Sequence, residues 1–263
     1  MPETTDKSEK PDKTDHKAPA ADPVRTLELL WGPQDRPSRS GLTARAIAAA
    51  AIDLAGTGGI DAVSMRSVAD RLDAATMSLY THVPGKPALV ELMIDTVTGE
   101  VYADLDEPAR QPDWRAALRF IARRNWELYA RYPWLLQVPQ GRPVLGPNIS
   151  CKYEAELRPL DGIGLSDADM DGVLTTVLVH VQGLARWQAA LTADRSGSGE
   201  DDVQWWTAVA PALARLMDPS AFPVSGRVGL AVGEQLNSAG DPAASLDFGL
   251  DRILDGVERL IGR

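Results

Sequence analysis

Beyond residue 42, apolar residues recur three and four positions apart along most of the chain, and no stretch shows the two-residue alternation of a half-buried strand. The spacing predicts a first helix over 44–55, capped by Thr43, with Ile47, Ala50, Ala51 and Leu54 inward and the glycine-rich run 56–59 ending it. A second helix follows Ser64 and aligns Met65, Val68, Ala69 and Leu72. After a polar break at Asp73 and Ala74, a third runs over about 75–82 with Ala75, Leu79 and Val83 inward. A fourth opens at Lys86 and extends to about Tyr102, with Pro87 in the first turn, where its missing amide proton costs little.

Helical spacing continues to the end of the chain, broken by proline- and glycine-rich joints. Further helices are predicted over about 113–131 (Trp114, Leu118, Ile121, Trp126 and Tyr129 inward), 148–157, 167–191, 203–217 and 243–261. Arg115, Arg119, Arg123 and Arg124 read as a solvated face. Segment 192–202 reads as a mobile link, and 218–241 as a second loop-like connector. The helices over 167–191 and 243–261 carry apolar bands too wide for one buried face, so each needs a second partner. Residues 1–40 form an extension expected to be disordered, because it is too poor in apolar residues to offset the entropy of ordering, with a brief amphipathic helix near Val24–Trp31. The prediction is an all-α chain in three parts: the extension 1–40, a three-helix unit 41–88 and a larger helical body 89–263.

Two short helices joined by a tight turn are how a protein lays a helix in a DNA major groove. Once the apolar positions are assigned to a core, the third helix is left with Thr76, Met77, Ser78, Tyr80, Thr81 and His82. Hydroxyls, an aromatic ring and an imidazole suit phosphate oxygens and base edges, and no acid is among them. With Ser64, Arg66 and Lys86 they make up the candidate DNA-binding set.

The residues Leu79, Tyr80, His82 and Lys86 also resemble the Leu-Tyr-x-His core and trailing lysine of the Tet repressor family, over about Thr43–Leu92. The resemblance implies that Arg66 touches a base or phosphate, that Thr76, Met77 and Thr81 meet base edges, and that Tyr80 and His82 meet backbone. Lys86 would hold a phosphate with help from the positive end of its helix. It further implies that the two late helices pair with those of a second copy as a homodimer, and that a small molecule in the helical body releases the protein from its operator, with repression the family default. The family's magnesium–tetracycline site uses histidines. Here the histidines are His16, His82 and His180, which fall in the tail, the reading helix and a late helix. Tetracycline is therefore not the expected effector.

Composition changes this picture in three ways. The 263 residues carry a net charge of −10, and the unit from Leu42 to Asp95 has four basic residues against six acidic ones. A DNA-binding unit is ordinarily basic, so phosphate contacts must lean on hydroxyls, backbone amides and helix ends; the segment Arg36-Pro-Ser-Arg39 reads either as an arm reaching a minor groove or as a solvated linker. Second, six of seven tryptophans follow Lys86, and aromatic walls with a few polar groups describe small-molecule pockets between helices. The candidate ligand set is Trp126, Tyr129, Trp134, Tyr153, His180, Gln182 and Trp187, with ordinary core packing the competing reading for each, above all for His180. Third, the one cysteine, Cys151, suits a reducing cytoplasm, and neither a signal core nor a membrane-length apolar run is apparent. No phosphate-cradling glycine loop, metal-ligand spacing or catalytic triad marks an enzyme. Asp167-x-Asp169-x-Asp171-Gly172 lacks the closing glutamate of a calcium loop and reads as an acidic helix start. No cofactor or metal is expected. The alternative left open is a helical adaptor governed by a protein partner, with weak or no DNA binding.

Overall fold

The computed structural model describes residues 22–37, 41–139, 141–238 and 240–262. The tail expected to be disordered lies outside them up to residue 21, as does Arg39 of the proposed arm. Every regular element among the described residues is helical.

Helix α1 (Pro23–Trp31) is capped by the Asp22 side chain and buries Leu30. It packs on α5 (Lys86–Thr98), and the Trp31 indole nitrogen donates to the Leu145 carbonyl at 2.8 Å. The expected short helix thus ties the start of the described chain to the loop ahead of residue 147. Helix α2 (Ala44–Gly58) is capped by Thr43 as predicted, but runs three residues past Ala55. Its glycines at 56 and 58 stay helical, and the chain turns only at Gly59, where φ is 71°. Helices α3 (Met65–Arg71) and α4 (Thr76–Tyr80) follow. Alpha4 is only five residues long and Ala75 is exposed, because the chain leaves α3 through Asp73 at φ 49° and straightens at Ala75 before re-entering a helix.

Helix α5 ends at Thr98, short of the predicted Tyr102. Ala88, Leu89, Leu92, Met93, Ile94, Asp95, Val97 and Thr98 are all buried. A helix covered on nearly every side is one held between two bodies. One core joins α1–α5 with Leu128, Trp134, Leu135 and Val138; the other lies between α6 (Trp114–Arg131), α8 (Asp167–Ser198) and α11 (Pro242–Ile261). Helix α7 (Pro147–Leu157) bridges α5 and α8.

Three expectations are corrected. The arginines of α6 are not merely a solvated face: Arg115 pairs with Asp255 at 2.7 Å and Glu258 at 3.0 Å, Arg119 pairs with Asp251, and Arg124 donates to the Val101 carbonyl. Three of the four therefore tie α6 to neighbouring chain. The link 192–202 is largely helix, since α8 runs to Ser198 and Arg195 pairs with Asp202 across the turn into α9 (Asp202–Leu216). The second connector holds a further helix, α10 (Pro223–Leu236), opened by a proline and closed by Asn237 in the left-handed region.

Candidate functional site

The reading unit is built as its sequence requires. The Ser64 hydroxyl accepts from the Ser67 amide at 3.0 Å and the Ser67 hydroxyl accepts from the Ser64 amide at 2.9 Å, a reciprocal cap on α3. Leu79 and Val83 are fully buried, which fixes the outward face of α4. On that face Met77 is 74% exposed and Tyr80 40%, Thr81 is exposed, and Thr76 and Ser78 are half-buried. The Thr81 hydroxyl is already donated to the Ser78 carbonyl at 2.7 Å. The His82 Nε2 is buried with no hydrogen-bond partner among the described residues, and the residue lines a cleft of about 390 Å³ with Glu28, Gln34 and Arg36. Arg36 accordingly lies beside the end of α4. Lys86 is exposed at the start of α5, its ammonium donating to the Ile60 carbonyl at 3.4 Å, while the Ile60 amide donates to Gln137 Oε1 at 3.1 Å.

Two arginines of the unit are already engaged: Arg45 bonds Asp35 through two nitrogens and Arg71 bonds Asp53 at 3.3 Å, so each must leave a carboxylate to serve a phosphate. Arg66 is exposed, 3.9 Å from Asp70. Operator binding is therefore expected to show a shallow salt dependence, corresponding to fewer than about six neutralised phosphates per protomer. Affinities measured between 50 and 200 mM salt check this, and a steeper slope would reveal a further basic element.

The second site is a cavity of about 460 Å³ among α5, α6, α7, α8 and the loop 141–144. Of the seven expected residues, Tyr129, Tyr153 and Gln182 line it. Burial, reinforced by the nearby Glu156 carboxylate, raises the Tyr129 pKa, so its phenol stays protonated at neutral pH. Tyr153 donates to Asp171 at 2.9 Å. The other four lie elsewhere, for identifiable reasons. Trp126 faces a neighbouring hollow with Pro133 and Gln188. Trp134 is core, 1% exposed, in the 3₁₀ turn Pro133–Gln137. His180 pairs through Nε2 with the Leu246 carbonyl of α11 at 3.1 Å, in a notch that only a glycine at 249 leaves open: a Cβ there would lie 2.3 Å from the imidazole. Trp187 stacks over Gly240 beside α9.

The sequence reading missed the polar network of this chamber. Glu156 is 1% exposed and accepts from the Tyr102 hydroxyl at 2.7 Å, Asn125 Nδ2 at 2.8 Å and Lys152 Nζ at 2.7 Å. Burial, then the Glu156 charge, holds the Tyr102 pKa far above the ordinary tyrosine value. Lys152 and Glu156 stand four apart, a spacing that in a sequence signals an exposed surface pair. Asp95 was missed too. Fully buried on α5, its Oδ1 accepts from the Asn148 and Ile149 amides at 3.0 Å each, and its Oδ2 from Asn148 Nδ2 at 3.1 Å. Burial raises its pKa while those three donors pull it back. The carboxylate of one helix thus caps the start of another.

A family model described as "Bacterial regulatory proteins, tetR family" matches residues 43–93, and one described as "Tetracyclin repressor-like, C-terminal domain" matches 107–261. The chain is 37% identical over 249 residues to the HTH-type transcriptional repressor DrrR1 of Streptomyces coeruleorubidus, covering 93% of this chain and 88% of that one. The apo structure of ActR from Streptomyces coelicolor is similar with TM-score 0.68 and 25% identity, over 84% of this chain and 97% of that one. The structure of ActR in complex with actinorhodin matches with TM-score 0.69 at 24% identity, over 84% and 99%, a likeness of fold. No described helix is long and apolar enough to cross a membrane. With an exposed α4 face at one end, a chamber within the helical body and a repressor matching along nearly its whole length, the chain belongs to the Tet repressor family of helix-turn-helix, ligand-responsive transcriptional repressors.

Proposed function

We propose that two copies of this chain grip one operator duplex through Met77, Tyr80, Thr81 and Lys86, and that a small organic molecule entering the chamber weakens that grip. One observation carries the coupling. Helix α7 lines the chamber through Ile149, Lys152, Tyr153 and Glu156, and its first turn hangs on Asp95 of α5, the helix that opens at Lys86 beside the reading helix. A ligand that displaces α7 displaces the strut to the DNA unit. By linkage it can weaken operator binding only by its differential affinity for the two geometries, typically about 1–3 kcal/mol. ActR, a protein of the same fold, has been crystallised with actinorhodin, which supports an organic occupant. The second copy is needed because two reading helices spaced about 34–36 Å apart meet half-sites one helical turn apart.

The test is a mobility shift with the DNA upstream of the protein's own gene. Tyr80→Ala and Lys86→Ala are each expected to weaken the shift about tenfold or more, through lost phosphate contacts, with the helical content unchanged. If both variants shift that DNA as well as the parent does, α4 is not the reading helix.

A further inference from the structure

Resting on the chamber reading above, we infer that the effector is an apolar organic anion whose charged oxygen group is met by Lys152. The chamber wall is of mixed chemistry. Ile94, Leu128, Leu135 and Leu178 supply apolar surface, and three charged side chains, Lys152, Glu156 and Arg142, also line it. Their hydrogen-bonding capacity is unequal. The Glu156 carboxylate, 1% exposed, already accepts from Tyr102, Asn125 and Lys152. Three of its roughly four acceptor sites are used, and it is the counter-ion of Lys152. The Lys152 ammonium has three protons and spends one on Glu156; its side chain is only 13% exposed and borders the cavity. Arg142, at the loop edge, has no ion-pair partner among the described residues, and Glu156 is the only acid lining the space. The lining therefore carries one more positive charge than negative. Among these charged groups most of the unspent hydrogen-bonding capacity lies in donors. A carboxylate, sulfonate or acidic phenol satisfies both features, whereas a cationic amine would meet two like charges and a carboxylate already paired with Lys152.

The experiment uses two dyes sharing one skeleton, the anion 1-anilinonaphthalene-8-sulfonate and the neutral N-phenyl-1-naphthylamine, titrated against the full chain by fluorescence. Wild type is expected to bind the anion about tenfold or more tighter than the neutral dye, the scale of one charge-assisted hydrogen bond. Lys152→Arg should keep that preference. The double variant Lys152→Gln/Glu156→Gln, which leaves no unpaired buried charge, should erase it. Thr175→Trp, at an exposed lining position, should weaken both dyes. Equal binding of the two dyes to wild type, or a preference that survives the double variant, overturns the assignment of ligand class. Failure of Thr175→Trp to affect either dye, or no binding of either, overturns the chamber itself as the ligand site.

Discussion

Asp95→Ala is expected to lower the stability of the protein by about 2–4 kcal/mol, although Asp95 itself lies neither on the reading face nor among the residues that line the chamber. The first amides of a helix have no partner within it, and two of those in α7 are satisfied by this one carboxylate. Truncation leaves them part-buried and unpaired, at about 1–3 kcal/mol per abandoned donor. Gly146, which precedes α7, belongs to the same joint. A Cβ there would lie 2.1 Å from Asp95 Oδ1, so no other residue fits while the carboxylate is in place. Gly146→Ala should therefore cost about 1–3 kcal/mol in the parent, by overpacking, and clearly less in the Asp95→Ala background, where the obstructing oxygens are gone. Urea unfolding midpoints at fixed protomer concentration give the four corners of this cycle. Costs that add to within about 0.5 kcal/mol would mean that the two residues do not share a joint. The same variants bear on regulation. Asp95→Asn, which retains one acceptor oxygen, should fold yet bind the operator less tightly, since α5 is then less firmly seated between the bodies it connects.

The fold was legible where periodicity and caps agreed. Thr43, Ser64 and Asp113 all cap the helices that their positions announce, and the buried faces of α3 and α6 follow their apolar spacing. Boundaries failed where tertiary contacts override local preference. Glycines at 56, 58 and 197 mark breaks in a sequence, yet all three are helical. At Gly58 a Cβ would lie 2.7 Å from the Cβ of Ala62, so the small residue answers a close approach and does not end the helix. At the other extreme α4 is shorter than its pattern suggested, since an apolar alanine at 75 says nothing about whether the backbone has yet entered the helix.

The candidate sites divide along a similar line. The outward face of α4 could be picked out because it is what remains when a local three-helix core is subtracted, and that core is contiguous in sequence. The chamber draws on segments more than eighty residues apart, from Ile94 to Gln182, and no local pattern records which face of each helix looks inward. Tryptophan was the wrong marker: Trp126, Trp134 and Trp187 lie elsewhere while Tyr129 and Tyr153 line the chamber, and its polar network rests on Asn125, Lys152 and Glu156, each unremarkable in its own helix. The dense polar joint at Asp95 was hidden for the same reason, since an acid within an otherwise apolar helix shows its purpose only once its partner helix is in place.

Phe248→Asp is expected to produce a monomer and to lower operator affinity by two to four orders of magnitude. In the single chain Phe248 is 67% exposed on α11 and Val179 62% exposed on α8, although these two helices pack against each other through their opposite faces. Around them the exposed stripes carry glycines at 172, 183 and 256, each with open space where a Cβ would stand, so another helix could approach closely. Large apolar side chains standing out beside small residues on two adjacent helices describe half of a four-helix interface. Because Phe248 contacts little within its own protomer beyond the Arg252 guanidinium, 5.3 Å from its ring, the substitution should leave the protomer folded. What it removes is the covalent-like tether that makes the second half-site contact effectively intramolecular, an advantage on the order of 10²–10⁴ in affinity. Sedimentation gives the mass and a mobility shift gives the affinity, and the two should fall together. A Phe248→Asp protein that sediments as a dimer would place the interface elsewhere, and one that is monomeric yet holds its operator as tightly as the parent would remove the need for paired reading helices.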